Sequence, residues 1–156
     1  MKSLTLFRHA KTERDSTTGR DFDRRLAERG ERDASRMGEE IRRLGLDFDL
    51  VLSSPAARAA QTADVAGLAP RFDERIYDAS SRQLLAIVQE ADDLSDRLLM
   101  VGHNPGFERL ASRLLGKDIE MPTGSLIEIQ LPIGQFREVG TKEGALVRFL
   151  KPKELD

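Results

Sequence analysis

The two histidines of the chain, His9 and His103, are the residues whose types and neighbours best suit catalysis. Arg8 directly precedes His9, and Arg58 follows a Ser-Ser-Pro segment farther along the chain. A neutral imidazole can act as a nucleophile, and a guanidinium donates paired, charge-assisted hydrogen bonds to an oxyanion. These arginines would repel a divalent metal ion, which would also need carboxylates or further histidines nearby. The combination therefore favours a phosphate pocket over a metal site.

Both histidines lie at the carboxyl end of a predicted strand, His9 after residues 3–7 and His103 after residues 98–101. Ligands of open α/β sheets bind at that edge of the sheet. Ser54 and Asn104, each followed by a proline, predict the amino ends of two helices, whose backbone N–H groups favour an anion. We therefore expect the two histidines and two arginines to meet at one rim of the molecule.

The apolar residues alternate between strand and helix periodicity along the chain, which predicts an α/β fold. Residues 98–101 are continuously apolar, as expected of a central strand covered on both faces. Residues 68–80 read as an irregular segment anchored by Phe72, Ile76 and Tyr77. The predicted strands are 3–7, 50–52, 98–101, 126–131 (nearer an edge) and 145–150, and the predicted helices are 26–44, 54–66 (capped by Ser54), 81–91 (capped by Ser81) and 104–116.

Composition narrows the class of protein. The 156 residues, 39% of them hydrophobic, suit one domain over 1–156 with a single core. The 25 basic and 27 acidic side chains nearly cancel, so we expect no nucleic-acid partner and no membrane surface. The sequence has no cysteine, which excludes thiolate chemistry and suits a reducing compartment, and it has no long apolar run. We expect a cytoplasmic protein.

Three segments together resemble the histidine phosphatase superfamily, which contains the phosphoglycerate mutase-like proteins. The short length, the alanine after the first histidine and residues 22–30 look like the bacterial phosphohistidine phosphatases of the SixA type. The resemblance implies a three-layer αβα sandwich with a mainly parallel central sheet and helices on both faces. The segments are Arg8-His9-Ala10-Lys11, Ser53-Ser54-Pro55-Ala56-Ala57-Arg58 with Gln61-Thr62, and Gly102-His103-Asn104-Pro105.

The resemblance also implies roles for residues. His9 is the expected nucleophile, and Arg8, Arg58 and His103 are expected to bind the phosphoryl oxygens. Phosphoryl transfer requires little beyond an in-line nucleophile and positive donors around the transferred group. We therefore expect a covalent phosphohistidine intermediate on His9, hydrolysed by water, with no metal and no cofactor.

The leaving group and the substrate are less closely defined by the sequence. Glu74 is the first candidate for a general acid, and Asp78 is the next. Lys11 and Asn104 are candidate substrate-binding residues. The short chain predicts an open site, which favours phosphohistidine in a protein. The alternatives are a phosphatase of small phosphate esters, a mutase, and a phosphate-binding module without turnover.

Overall fold

A six-stranded mixed sheet forms the centre of the molecule in the computed structural model, which describes residues 1–155. Four α-helices flank it. The strands are β1 (Lys2–Arg8), β2 (Leu50–Ser53), β3 (Arg71–Phe72), β4 (Arg97–Gly102), β5 (Leu126–Leu131) and β6 (Ala145–Leu150), and the helices are α1 (Glu28–Arg43), α2 (Ala57–Val65), α3 (Ser81–Gln89) and α4 (Gly106–Leu115).

The strand order β3-β2-β4-β1-β5-β6 places β4 and β1 side by side in the middle of the sheet. Strands β1, β2, β3 and β4 pair in parallel, while β5 and β6 join the sheet antiparallel. The expected α/β fold with a mainly parallel sheet is confirmed, and β4 has the central position predicted from its apolar run. Because β1 and β4 are parallel neighbours, their carboxyl ends meet at the same edge.

The sheet separates two layers of helices, as the three-layer prediction requires. Alternate residues of β4 show this most simply: Leu98 and Met100 pack with α3 and α4, while Leu99 and Val101 pack with α1 and α2. All four side chains are fully buried. The uninterrupted apolar run is thus explained by burial on both faces of the strand. None of the helices within residues 1–155 has the length and apolar character needed to span a lipid bilayer.

Several local predictions need correction. Helix α2 begins at Ala57 with Ala56 at the N-cap position, so Ser54 does not cap it. The cap of α3 is Ser80 rather than Ser81, because Ser80 and Gln83 exchange the two hydrogen bonds of a capping box. Phe72 is not a buried anchor, since it is 54% exposed on the edge strand β3.

Helix α4 likewise begins later than predicted. Pro105 occupies its N-cap position and Gly106 is its first residue. The Asn104 side chain still satisfies one free backbone donor of this helix, since its Oδ1 accepts a 3.3 Å hydrogen bond from the backbone N–H of Glu108.

Candidate active site

His9 and His103 lie side by side at the carboxyl edge of the sheet. Each follows the last residue of its strand, β1 or β4, and the strand register pairs Arg8 with Gly102. The backbone N–H of His9 donates to the carbonyl of Gly102 at 3.0 Å, which extends this alignment beyond the strands. The two imidazole centroids are 5.3 Å apart. The structure therefore brings together the two histidines that the sequence separates by more than half of its length.

The ring of His9 is fixed in one tautomer. Its Nδ1 lies 2.8 Å from the carbonyl oxygen of Ala10, and because a carbonyl can only accept, Nδ1 must carry the proton. The unprotonated Nε2 is then available to attack. The backbone N–H of Ala10 donates in turn to the hydroxyl of Thr62 at 3.0 Å, and that hydroxyl donates to the carbonyl of Arg58. This chain of contacts ties the His9 loop to helix α2.

The electrostatic environment keeps His9 neutral. It is 8% exposed, and burial is the main reason that its pKa is lowered to about 4. The hydrogen bond to Ala10 opposes the shift, and the positive charges of Arg58 and Arg8 add to it. A histidine with this pKa is an unprotonated base at neutral pH, which a nitrogen nucleophile requires.

His103 is held by a residue that sequence reasoning assigned to another role. A 2.8 Å hydrogen bond joins its Nε2 to the hydroxyl of Ser54, the residue predicted as a helix cap. Its Nδ1 is buried and has no hydrogen-bond partner within residues 1–155. Burial, followed by the charge of His9, lowers the pKa of His103 to about 3. A buried polar atom without a partner is costly, so Nδ1 marks a place for a ligand.

Arg8 presents a similar feature. One guanidinium nitrogen, Nη1, donates to the carbonyl of Met121 at 2.7 Å and so fixes the side chain. Its Nε is buried without a partner in the described part of the chain. Burial also lowers the pKa of Arg8. Arg8 Nε and His103 Nδ1 are thus two unpartnered nitrogens at the same edge of the sheet.

Arg58 is 7% exposed and is engaged by Asp21, which sequence reasoning did not identify. Its Nη1 donates to the backbone carbonyl of Asp21 at 2.9 Å, and its Nη2 to the carboxylate at 3.0 Å. Tyr77 donates to the same carboxylate at 2.7 Å and is the main cause of lowering the pKa of Asp21 to about 2. The ring of Tyr77 also packs edge-on against His103, with centroids 5.5 Å apart. No local motif distinguishes Asp21, although Tyr77 is the single tyrosine of the chain.

The remaining candidates lie in different places. Glu74 is exposed and lines a cleft of about 580 Å³ next to Tyr77. Asp78 is exposed at a turn with a positive φ of 56°. Lys11 lines a separate cleft of about 160 Å³ together with Arg29 and other residues.

Asn104 has its whole side-chain amide committed within the protein. Its Nδ2 donates to the Glu108 carboxylate and to the Met121 carbonyl, and its Oδ1 accepts from the backbone of Glu108. Because Arg8 donates to the same Met121 carbonyl, Asn104 shares with Arg8 a contact that fixes the loop beside the histidines. The geometry thus shows Asn104 fixing the structure next to Arg8, and its contact with substrate stays a prediction.

The charge pattern suits an anion better than a cation. Among residues 1–155 no group of three or more histidine, aspartate or glutamate side chains is arranged to hold a metal ion. The cationic groups that act on both imidazoles are instead the guanidinium groups of Arg8 and Arg58, which donate hydrogen bonds. Such an arrangement can orient a tetrahedral oxyanion in front of His9 Nε2.

Comparison with known proteins gives consistent results. The family model described as the histidine phosphatase superfamily (branch 1) matches residues 4–81. An uncharacterized protein of Mycobacterium tuberculosis is 33% identical over 146 residues, covering 85% of this chain and 92% of the relative.

Two solved structures extend the similarity over nearly the whole chain. A protein from Agrobacterium tumefaciens, provisionally named phosphohistidine phosphatase SixA, superposes with a TM-score of 0.83 at 27% identity, covering 97% of this chain and 98% of that one. A protein from Nakamurella multipartitia with the same provisional name gives a TM-score of 0.86 at 24% identity, covering 97% and 96%. At that lower identity the second match shows a shared fold.

Proposed function

This chain belongs to the histidine phosphatase superfamily, and from that premise we propose that it is a phosphohistidine phosphatase that carries the transferred phosphoryl group on His9. Membership of the superfamily supports a phosphatase. The choice of His9 rests on one observation: its Nδ1 proton is committed to the Ala10 carbonyl, which leaves Nε2 unprotonated and able to act as the nucleophile. In this proposal His103, Arg8 and Arg58 hold the phosphoryl oxygens.

The reaction follows from these positions in two steps. The lone pair of His9 Nε2 forms a bond to phosphorus as the bond to the leaving nitrogen breaks. The leaving ring keeps the electron pair of the broken bond and takes a proton from solvent. Water then attacks the phosphorus of phosphohistidine-9, which returns the electron pair to Nε2 and releases inorganic phosphate. Positive donors stabilise the charge on the non-bridging oxygens in both steps.

The lack of a buried, protonated general acid in the site, among the residues that the structure describes, favours a substrate whose phosphoryl group is linked to nitrogen. Glu74 is exposed on the wall of the cleft, and Asp21, which lies closer to Arg58, has a pKa of about 2 and stays ionised at neutral pH. An alkyl ester needs a proton donor for its poor leaving group, whereas an N–P bond is labile and its departing imidazole can be protonated by solvent. The provisional name of the Agrobacterium tumefaciens neighbour supports the same substrate class.

Small phosphate esters are the second candidate, because Glu74 lines the cleft beside Tyr77 and could reach a leaving oxygen there. The open cleft also admits a protein side chain, so we propose a phosphorylated protein as the partner.

The test compares catalytic efficiency on a phosphohistidine-containing protein with that on a panel of small phosphate esters, with and without a metal chelator. Rapid quenching under alkaline conditions, followed by peptide mapping, locates the phosphoryl group on the enzyme. We expect kcat/KM to be highest for the phosphohistidine protein, insensitive to chelator, with label on His9. A higher kcat/KM for an ester would move the assignment to the second candidate, and binding without turnover or label would make the protein a phosphate-binding module.

A further inference from the structure

A cleft with aromatic walls adjoins the two histidines. We call it the ring cleft; it has a volume of about 580 Å³ and is lined by Arg20, Asp21, Phe22, Pro55, Glu74 and Tyr77. Phe22 and Tyr77 meet edge to face inside it, with centroids 5.2 Å apart and planes at 87°. This geometry leaves aromatic surface in the wall of a cleft that is large enough for a small ligand.

The ring cleft is continuous with the proposed phosphoryl site through two residues. The ring of Tyr77 packs edge-on against His103, and its hydroxyl donates to the Asp21 carboxylate. That carboxylate also holds Arg58 at 3.0 Å. In-line attack places the leaving group on the side of the phosphorus opposite His9. A leaving-group role for the cleft requires that this side opens towards Tyr77, which contacts both His103 and Arg58.

The aromatic walls already accept planar cations. The guanidinium carbon of Arg20 lies 5.7 Å from the centroid of Phe22, and that of Arg58 lies 5.8 Å from the centroid of Tyr77. Both distances are within the range of cation–π attraction. The carboxylates of Asp21 and Glu74 add negative charge to the same lining. Flat, delocalised groups thus already pack against both aromatic rings, and these walls suit the flat ring of a ligand.

Imidazole is such a ring. As the N–P bond breaks, the ring nitrogen receives the electron pair of that bond and a proton from solvent, and the product is a flat, mostly neutral imidazole at pH 7 because its ordinary pKa is near 6.5. Its face can pack on an aromatic ring of the cleft. An alkoxide or ammonia leaving group offers no flat face to Phe22. We propose that Phe22 and Tyr77 form a leaving-group pocket that selects N-phosphorylated imidazole over leaving groups without a ring, an inference that rests on the proposed phosphatase function.

The test uses two substrates that share an N–P bond and differ in the ring: a phosphohistidine peptide and phosphoramidate. The ratio of their kcat/KM values measures recognition of the ring. We expect Phe22→Ala to lower this ratio about tenfold, through a higher KM for the peptide, while phosphoramidate turnover stays within about twofold. Phe72→Ala is the matched control, since Phe72 is 54% exposed and lies outside the cleft.

A second variant and a second substrate pair complete the design. Phe22→Leu keeps apolar volume without an aromatic face, so it should lower the ratio even if Phe22→Ala folds poorly. An unchanged ratio in both variants overturns the proposal. If the wild-type protein cleaves esters and neither N–P substrate, the proposed function fails. In that case the imidazole assignment is rejected as well. Comparing kcat/KM for phenyl phosphate with that for ethyl phosphate in the same variants then shows whether the ring cleft binds any ring.

Discussion

The two ends of strand β1 each carry a cationic side chain, and the structure treats them in opposite ways. Lys2, at the amino end, is 4% exposed, and its ammonium group donates to the carbonyls of Asp93 and Ser95 and to the carboxylate of Asp96. Every proton of the ammonium group has a partner. Arg8, at the carboxyl end, has one donor fixed by Met121 and a buried Nε without a partner within residues 1–155.

We interpret this difference as one between a structural cation, Lys2, and the phosphate-binding cation proposed above, Arg8. Burying a charged group is costly unless its hydrogen bonds are completed, and Lys2 completes them within the protein. Arg8 and the neighbouring His103 leave polar atoms incomplete where a ligand can supply the missing acceptor or donor. The buried cation at the amino edge of the sheet thus has its hydrogen bonds completed within the protein, and we propose that the unpartnered groups at the carboxyl edge bind the substrate.

The largest expected effect is a loss of activity without loss of folding when the nucleophile at the carboxyl edge is removed. His9→Ala removes the nucleophile, so we expect phosphatase activity to fall by about 10⁴-fold or more, while the protein stays folded and still binds phosphate. Activity assays, circular dichroism and isothermal titration with phosphate measure these three properties. Substantial turnover in this variant would exclude a covalent intermediate on His9.

The next test compares the two ends of β1 directly. Arg8→Ala should lower kcat/KM by about 10² to 10³-fold, as expected when a charged donor to a developing oxyanion is lost. Lys2→Met should leave kcat/KM within about twofold and lower the free energy of unfolding by about 1–3 kcal/mol, because buried carbonyls lose their donor. Enzyme kinetics and urea denaturation give both values. Loss of activity in Lys2→Met, together with a loss of stability alone in Arg8→Ala, would contradict the roles assigned to the two residues.

A smaller effect is expected from the candidate acid. Glu74→Gln should lower the hydrolysis of an alkyl phosphate by about a hundredfold, the lower end for loss of a general acid, and leave phosphohistidine hydrolysis nearly unchanged. Steady-state kinetics on the two substrates decide the matter. Equal losses on both substrates, or none, would mean that Glu74 is not the acid. Asp78→Asn, at the other sequence candidate, is the matched comparison.

A pH dependence of stability is expected from the lowered pKa values of the two histidines. The folded pKa values of about 4 for His9 and about 3 for His103 lie below the unfolded value near 6.5, so between these limits the unfolded chain binds protons that the folded chain does not. The free energy of unfolding should therefore decrease as the pH falls from about 6.5 to 4. NMR titration of the two histidines should give midpoints well below 6.5 for the phosphate-free protein. A midpoint near 6.5 for either ring would contradict the buried, neutral pair.

The strands were more predictable than the helix ends. The run 126–131 matches β5, where burial imposes a pattern on the sequence, and the run 145–150 matches β6, whose residues are exposed or half-buried. Helix ends depend instead on which nearby group satisfies the free backbone donors. Ser54 has the residue type and position of a cap, but its hydroxyl bonds to His103, which lies 49 positions away in the chain.

The sequence by itself determined the alternation of strands and helices, the family resemblance and the placement of both histidines at strand ends. These features depend on local periodicity and on residue types at fixed spacing. The tertiary structure alone decided that Asp21 holds Arg58, that Ser54 holds His103 and that Asn104 is committed to Glu108 and Met121. Such contacts depend on which distant segments the sheet brings together, because a side chain can satisfy its hydrogen bonds with any group within reach.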